Sequence, residues 1–269
     1  MQQAIAILDS GVGGLTVAKE VLRQLPQEKI IYFGDTARTP YGPRTPEEVL
    51  EFTRQIVDYL VQFQPKMIVI ACNTATAVAL EDIRARVSIP VVGVIHPGAR
   101  AAIKKTRSGV VGVIGSEGTI RSKAYDQALY QISPYIKVYS QACPHLVTLV
   151  EKGLFHRSEA KSIVEESLAG LKNQPIDCLI LGCTHFPFLT DTIGEVMGSQ
   201  VALISSAEES AREISTILSH HGQLARADEQ PIHQFFCSGD PVIFRRITEQ
   251  WLGGQIKVHP VVWQVPKIV

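Results

Sequence analysis

Hydrophobic positions along the chain follow two rhythms. Short unbroken apolar runs, several of them rich in β-branched residues, alternate with longer stretches in which apolar residues recur every three or four positions. The first rhythm belongs to strands buried on both faces of a parallel sheet, the second to amphipathic helices. Strands are expected at residues 4–8, 29–33, 90–94, 110–114, 137–139, 201–204 and 233–237, and within the runs 65–74 and 175–185. The first helix follows a glycine-rich turn, Asp9-Ser10-Gly11-Val12-Gly13-Gly14, with Leu15, Ala18, Leu22 and Leu25 on one face and Pro26 as its stop. Thr45-Pro46-Glu47-Glu48 opens a second with a capping box and proline at the first position. Its face is Val49, Phe52, Ile56, Leu60 and Phe63. Residues 118–130 read as a loop and then a helix, and a final amphipathic helix follows the turn Ser238-Gly239-Asp240-Pro241. Strand–helix alternation throughout predicts an α/β fold with mainly parallel sheets.

Two of the apolar runs say nearly the same thing. Residues 65–74 read Pro-Lys-Met-Ile-Val-Ile-Ala-Cys-Asn-Thr, and residues 175–185 read Pro-Ile-Asp-Cys-Leu-Ile-Leu-Gly-Cys-Thr-His. The run at residues 5–11 is echoed at 111–118, which pairs Ser10 with Ser116. Ser10 and Ser116 are 106 positions apart, and Cys72 and Cys183 are 111 apart. Two features in one order at nearly one offset indicate duplication at domain scale; a solenoid repeats every ~20–50 residues. If the halves face each other, Cys72 and Cys183 enter one cleft from opposite sides. Both stand at the carboxyl ends of strands, where open α/β sheets bind ligands.

Composition narrows the class. The 269 residues suffice for two domains of ordinary size. The 26 basic and 26 acidic residues cancel, so no nucleic-acid footprint is expected. No apolar run reaches the roughly 20 residues of a membrane helix, and the N-terminus lacks the positive segment of a signal peptide. Five cysteines without paired spacing read as free thiols of a reducing cytoplasm.

A buried free cysteine is usually only a small hydrophobe. That reading suits Cys143, Cys178 and Cys237. Cys72 and Cys183 differ, because each ends a strand with a threonine one or two residues on and the two are related by the repeat. A helix N-terminus just after each would favour a thiolate. Two opposed thiols suit the inversion of a carbon centre, which takes a proton from one face and delivers one to the other. Thiols, with a reference pKa of ~8.5, can be tuned for such acid–base work. A redox disulfide and a metal site are weaker alternatives, since there is no Cys-x-x-Cys and no clustered Cys/His spacing. The turn at 9–14 fails the dinucleotide pattern because Thr16 stands where the third glycine belongs. It reads instead as a small anion site, where backbone amides and Ser10 hold a carboxylate, aided by Asn73-Thr74 and Thr184-His185. Asp9 is placed to meet an ammonium group or assist a thiol. His185, next but one to Cys183, is a candidate proton-transfer partner. Glu151 stands evenly between a solvated helix residue and a site residue. His96, His145, His156, His220, His221, His233 and His259 are read as structural or surface groups.

Residues 9–17, with Ala71-Cys72-Asn73-Thr74-Ala75 and Gly182-Cys183-Thr184-His185-Phe186-Pro187, resemble the glutamate racemases. The stretches at 34–42, 97–99 and 238–240 agree, and the match covers nearly the whole chain in order. Aspartate racemases share the two-cysteine plan but differ in the first loop. The resemblance implies two pseudo-symmetric three-layer α/β/α domains with the active site in the cleft between them. It makes the first domain discontinuous, residues 1–96 with 207–269, around a second at 97–206. It implies cofactor-independent and metal-free interconversion of L- and D-glutamate, supplying D-glutamate for peptidoglycan. Cys72 and Cys183 would be the two proton carriers, supported by Asp9, His185 and Glu151. Substrate contacts would come from Asp9, Ser10, Tyr41, Gly42, Asn73, Thr74, Thr184 and His185. Expected partners are the small-molecule substrate and a second copy in a homodimer. His96 and His145 depart from the usual pattern, outside the catalytic motifs.

Overall fold

The computed structural model describes residues 2–154, 158–228 and 230–263. The first half runs β1 (Ile5–Asp9), α1 (Leu15–Gln24), β2 (Ile30–Gly34), α2 (Pro46–Leu60), β3 (Met67–Ile70), α3 (Asn73–Arg86) and β4 (Val91–Gly93). After α4 (Ile95–Lys105) the second half runs β5 (Val110–Gly115), α5 (Glu117–Ser122), α6 (Ala124–Ile132), β6 (Lys137–Ala142) and α7 (Pro144–Glu151). It continues through α8 (Ser158–Lys172), β7 (Cys178–Gly182), α9 (Thr190–Met197) and β8 (Ala202–Ser205). The chain then returns through α10 (Ser206–His220), β9 (Gln234–Cys237), α11 (Pro241–Leu252) and β10 (Val258–Pro260).

The first sheet has the order β10-β9-β2-β1-β3-β4 and the second β6-β5-β7-β8. Every pairing is parallel. The order β2-β1-β3-β4 therefore recurs as β6-β5-β7-β8, and the duplication read from the sequence is a duplication of topology. In each half the strand order reverses between the first and third strands of the unit. Those switch points open a crevice at the carboxyl ends of β1 and β3, and of β5 and β7.

Alternation along the strands fills two layers per sheet. Ile5, Ile7, Met67 and Val69 face α1, α10 and α11 through Val17, Val21, Ile214 and Phe244. Ala6, Leu8, Ile68 and Ile70 face α2 and α3 through Ile56, Leu60, Ala79 and Ile83. In the second half Val111, Val113 and Ile180 meet Ala99, Ala102, Tyr125 and Leu129. Ile114, Leu179 and Leu181 meet Leu146, Val164, Leu168 and Ile193. Each fully buried aliphatic side chain contributes roughly 1.5–3 kcal/mol, so each half has its own two-sided core. Helix α10 packs on both α1 and α4, and Trp251 of α11 touches a core of each half. Among the described residues no helix is long and apolar enough to cross a membrane.

Three local expectations change. Residues 118–130 are two helices rather than loop and helix. Ser116 caps the first by accepting from the Thr119 amide at 3.2 Å, and Lys123 breaks it with φ 54°. Strand β6 extends to Ala142; it is an edge strand, and its half-exposed, polar sequence masks the apolar signal. Strand β10 went unread because it has only 3 residues. His156 lies outside the described residues.

The capping box at α2 is formed as expected. Thr45 Oγ1 accepts from the Glu48 amide at 3.2 Å, and Glu48 Oε2 accepts from the Thr45 amide at 3.0 Å. This cap holds the far end of the long loop after β2. Thr45→Ala is expected to lower unfolding stability by about 1 kcal/mol, read as a shift of the urea midpoint with an unchanged slope.

Candidate active site

Each switch point delivers one serine and one cysteine. Ser10 follows β1 and Cys72 is the second residue beyond β3; Ser116 follows β5 and Cys183 follows β7. All four line a single cavity of about 210 Å³. That lies below the roughly 300–1,000 Å³ of drug-sized pockets and suits a small ligand. The two thiols thus reach one space from opposite halves. Pro40, Tyr41, Gly42 and Pro43 close one side, and Pro144, Val147 and Thr148 of α7 close another.

Cys72 is the N-cap of α3, and its Sγ accepts from the Ala75 amide at 3.5 Å. The helix amide and a hydrogen bond from Ser10 favour the thiolate, but burial outweighs them. Burial first, and then the charge of Asp9, push the Cys72 thiol up to about 12. Cys183 lacks the helix N-terminus expected after it. A 3-10 turn, Phe186–Leu189, intervenes, and α9 begins only at Thr190.

A different group stands at Cys183. Its Sγ is 3.6 Å from His185 Nδ1, and His185 Nε2 is 2.5 Å from Glu151 Oε1. Burial opposes a charge on His185, but Glu151's carboxylate and the contact with Cys183 prevail and raise the imidazole well above its ordinary 6.5. Burial likewise opposes a charge on Glu151, yet His185 and the Val12 amide hold that carboxyl below its ordinary 4.5. The pair is an imidazolium and a carboxylate, with the imidazolium against a sulfur. Glu151, undecided in the sequence, is a site residue by position.

Asp9 is fully buried and does not line the cavity. Its Oδ2 accepts from the Gly11 amide at 3.0 Å and its Oδ1 from Thr184 Oγ1 at 3.2 Å. Burial raises its pKa, against the pull of His185 and of the Gly14 and Gly11 amides. The turn at 9–14 is therefore an anion site of another kind. Its Gly11 and Gly14 amides serve Asp9, and the Val12 amide serves Glu151. The anions held there are the protein's own carboxylates. Gly13 lets the two halves meet at this point, since a Cβ there would fall 2.3 Å from Thr184 Oγ1.

The remaining candidates divide. Ser10, Tyr41, Gly42, Asn73, Thr74, Thr184 and His185 all line the cavity. Tyr41 turns its hydroxyl away, donating to Asp35 Oδ2. Asn73 accepts from Tyr125 OH at 2.7 Å, and its Nδ2 is buried without a hydrogen-bond partner among the described residues. A buried amide donor left unpaired is costly, so the site is built to receive an acceptor there. Thr74 Oγ1 meets Ser116 Oγ at 2.8 Å and Thr119 Oγ1 at 3.1 Å. Ser116 and Thr119 were missed from the sequence, although the repeat pairs Ser116 with Ser10. No lysine or arginine is among the residues lining the cavity. Cys143, Cys178 and Cys237 are buried in packing as expected, and all five cysteines are free. His233 accepts from the Ile30 amide at 3.2 Å, a structural role. His96, His145, His220 and His221 are exposed, and His259 is half-buried against Phe236.

Fold and cavity together define a class: an α/β protein of two like halves, each presenting one thiol to a small ligand. Residues 10–214 match the profile of the family described as Asp/Glu/Hydantoin racemase, and the chain belongs to that family of isomerases. The curated glutamate racemase of Bacillus cereus is 53% identical over 257 residues, 96% of each chain. The crystal structure of the glutamate racemase of Bacillus anthracis superposes with a TM-score of 0.93 at 52% identity, covering 96% of this chain and 97% of that one. The glutamate racemase of Francisella tularensis, in complex with D-glutamate, gives 0.89 at 32% identity over 98% of each. Within the family the chain groups with the glutamate racemases.

The His185–Glu151 pair makes a pH prediction. His185's raised pKa contributes stability fully present below pH 6.5 and lost as pH rises through its folded value. Glu151's lowered pKa contributes stability present above pH 4.5 and lost as pH falls through its folded value. Both are whole between those limits. Glu151→Gln is expected to lower the His185 titration midpoint, measured from imidazole nitrogen shifts; an unmoved midpoint would show that Glu151 does not hold the charge.

Proposed function

We propose that this protein interconverts L- and D-glutamate by direct proton transfer between Cys72 and Cys183. The observation that carries the reading is the convergence of two repeat-related cysteines, from opposite halves, on one small cavity. One sulfur removes the α-hydrogen as a proton, leaving a planar carbanion. The other delivers its proton to the opposite face. Cys72, whose thiol burial pushes to about 12, starts as the acid. Cys183, with the His185 imidazole against its sulfur, starts as the base. Their roles exchange with each turnover, and the reverse reaction restores them.

Neutral donors receive the substrate. Asn73 Nδ2 and the hydroxyls of Thr74, Ser116 and Thr119 are suited to a carboxylate, and they spread the negative charge that develops as the proton leaves. Thr184, which donates to the buried Asp9 behind it, forms the polar wall toward the substrate ammonium. The Francisella relative with D-glutamate bound supports glutamate as the substrate. The same reading carries a division into domains at 1–96 with 207–269 and 97–206, supported by β9 and β10 joining the first sheet. It also carries a cytoplasmic homodimer that supplies D-glutamate for peptidoglycan.

The test is proton NMR of L-glutamate in deuterated water with purified protein and no added cofactor. Loss of the α-proton signal together with appearance of the D-isomer is expected, with a much slower loss from aspartate. Ligand binding without exchange would make the protein a binding module instead. Cys72→Ser and Cys183→Ser are each expected to lower racemisation by roughly 10²–10⁴-fold. Each should still eliminate a leaving group from a suitable analogue in one stereochemical sense. Full activity in either variant removes that cysteine from the mechanism.

A further inference from the structure

The loop after β2 supplies Pro40, Tyr41, Gly42 and Pro43 to the cavity wall. It belongs to the first half but closes against the second. A Cβ at Gly42 would fall 2.8 Å from Ser116 Cβ, and Arg121 of α5 donates to the Arg44 carbonyl at 3.4 Å. The lip of the site thus spans both halves, and its placement sets the distance across the cavity.

Asp35 anchors that lip without touching the cavity. Its side chain is fully buried, and its two oxygens accept four hydrogen bonds. Oδ1 accepts from Ser238 Oγ at 2.7 Å and from Trp263 Nε1 at 3.0 Å. Oδ2 accepts from Arg38 Nε at 2.7 Å and from the Tyr41 hydroxyl. Arg38 lies between the rings of Phe52 and Trp263, 4.2 and 4.3 Å from their centroids, and donates to Gln55 Oε1 at 2.6 Å. Ser238 Oγ also accepts from the Ala37 amide at 3.0 Å, and the Gly239 amide donates to Thr36 Oγ1 at 2.9 Å. One carboxylate thereby joins the lip, helix α2, the end of β9 and Trp263, which is 228 positions downstream.

We infer that Asp35 is a positioning residue for the active site: it acts through Tyr41 to hold the Tyr41-Gly42 lip over the substrate, and Trp263 completes that hold. A charge with four donors is pinned in direction as well as place, and charge-assisted bonds are about twice as strong as neutral ones. Among the described residues the buried Tyr41 hydroxyl has no other hydrogen-bond partner, so its link to Asp35 fixes the ring that forms the cavity wall. The role of Trp263 is distinctive because a residue remote in sequence, outside the duplicated halves, governs a loop of the site.

The inference rests on the racemase reading for its kinetic arm and on geometry alone for its structural arm. Asp35→Asn keeps the size and removes the charge. Its KM for both isomers is expected to rise about tenfold, the equivalent of one lost charge-assisted hydrogen bond, with kcat within about twofold. Tyr41→Phe should raise KM as well, and the double variant should be no worse than Asp35→Asn, because both cut one link. Trp263→Phe, which keeps the stack on Arg38, should be milder than Trp263→Ala. In the ligand-free protein, backbone amides of residues 36–44 should exchange faster in Asp35→Asn and Trp263→Ala, with β1, β3 and β7 unchanged. An unchanged KM in folded Asp35→Asn, additive effects in the double variant, or exchange raised uniformly across the protein would each overturn the positioning role. If the wild type fails to exchange the α-hydrogen of glutamate, the racemase reading fails and the amide exchange still decides the anchor.

Discussion

Two carboxylates, the buried Asp9 and the half-buried Glu151, join the halves of this protein to each other. Asp9 belongs to the first half and accepts from Thr184 of the second; Glu151 belongs to the second and accepts from the Val12 amide of the first. A charge removed from water must find partners or be neutralised, and here they include backbone amides, of its own half for Asp9 and of the other half for Glu151. The glycine turn at 9–14 provides them, because successive backbone amides with no Cβ in the way can reach both carboxylates. The consequence is electrostatic as well as mechanical. Asp9 pushes the Cys72 thiol up, while Glu151 keeps a positive imidazole against Cys183.

The two sulfurs are therefore equivalent by topology and different by chemistry. Both stand beyond the third strand of a β2-β1-β3-β4 unit. Cys72 caps a regular helix, whereas the 3-10 turn after Cys183 leaves room for His185 to approach the sulfur. A reaction that runs in both directions needs a donor and an acceptor poised together, and a perfectly symmetric pair would supply two of one kind. The duplication gives matched positions on one cavity. Divergence after the duplication gives the two sulfurs different neighbours, the Ala75 amide at Cys72 and the His185 ring at Cys183.

The binding side of the cavity follows a similar economy. Hydroxyls and one amide, without lysine or arginine among the lining residues, leave the local charge balance to the carboxylates and His185. Ser10 and Ser116, related by the repeat, both line the cavity, so each sheet contributes a hydroxyl-bearing turn to it.

The apolar rhythm was enough to locate nine of the ten strands among the described residues, the duplication, and the two strand-end cysteines, because a buried parallel strand has to be a short continuous apolar run. The capping box at Thr45 and the packing roles of Cys143, Cys178 and Cys237 were legible for the same local reasons. The edge strand β6 was misjudged in length and β10 was missed, since edges and three-residue strands carry little apolar signal. What the turn at 9–14 binds, which group attends Cys183, where Tyr41 sends its hydroxyl and what Asp35 gathers were not legible. Those answers depend on contacts between residues far apart in sequence, down to Trp263 on Asp35. Periodicity records which side of an element is buried; folding alone decides which polar groups meet inside.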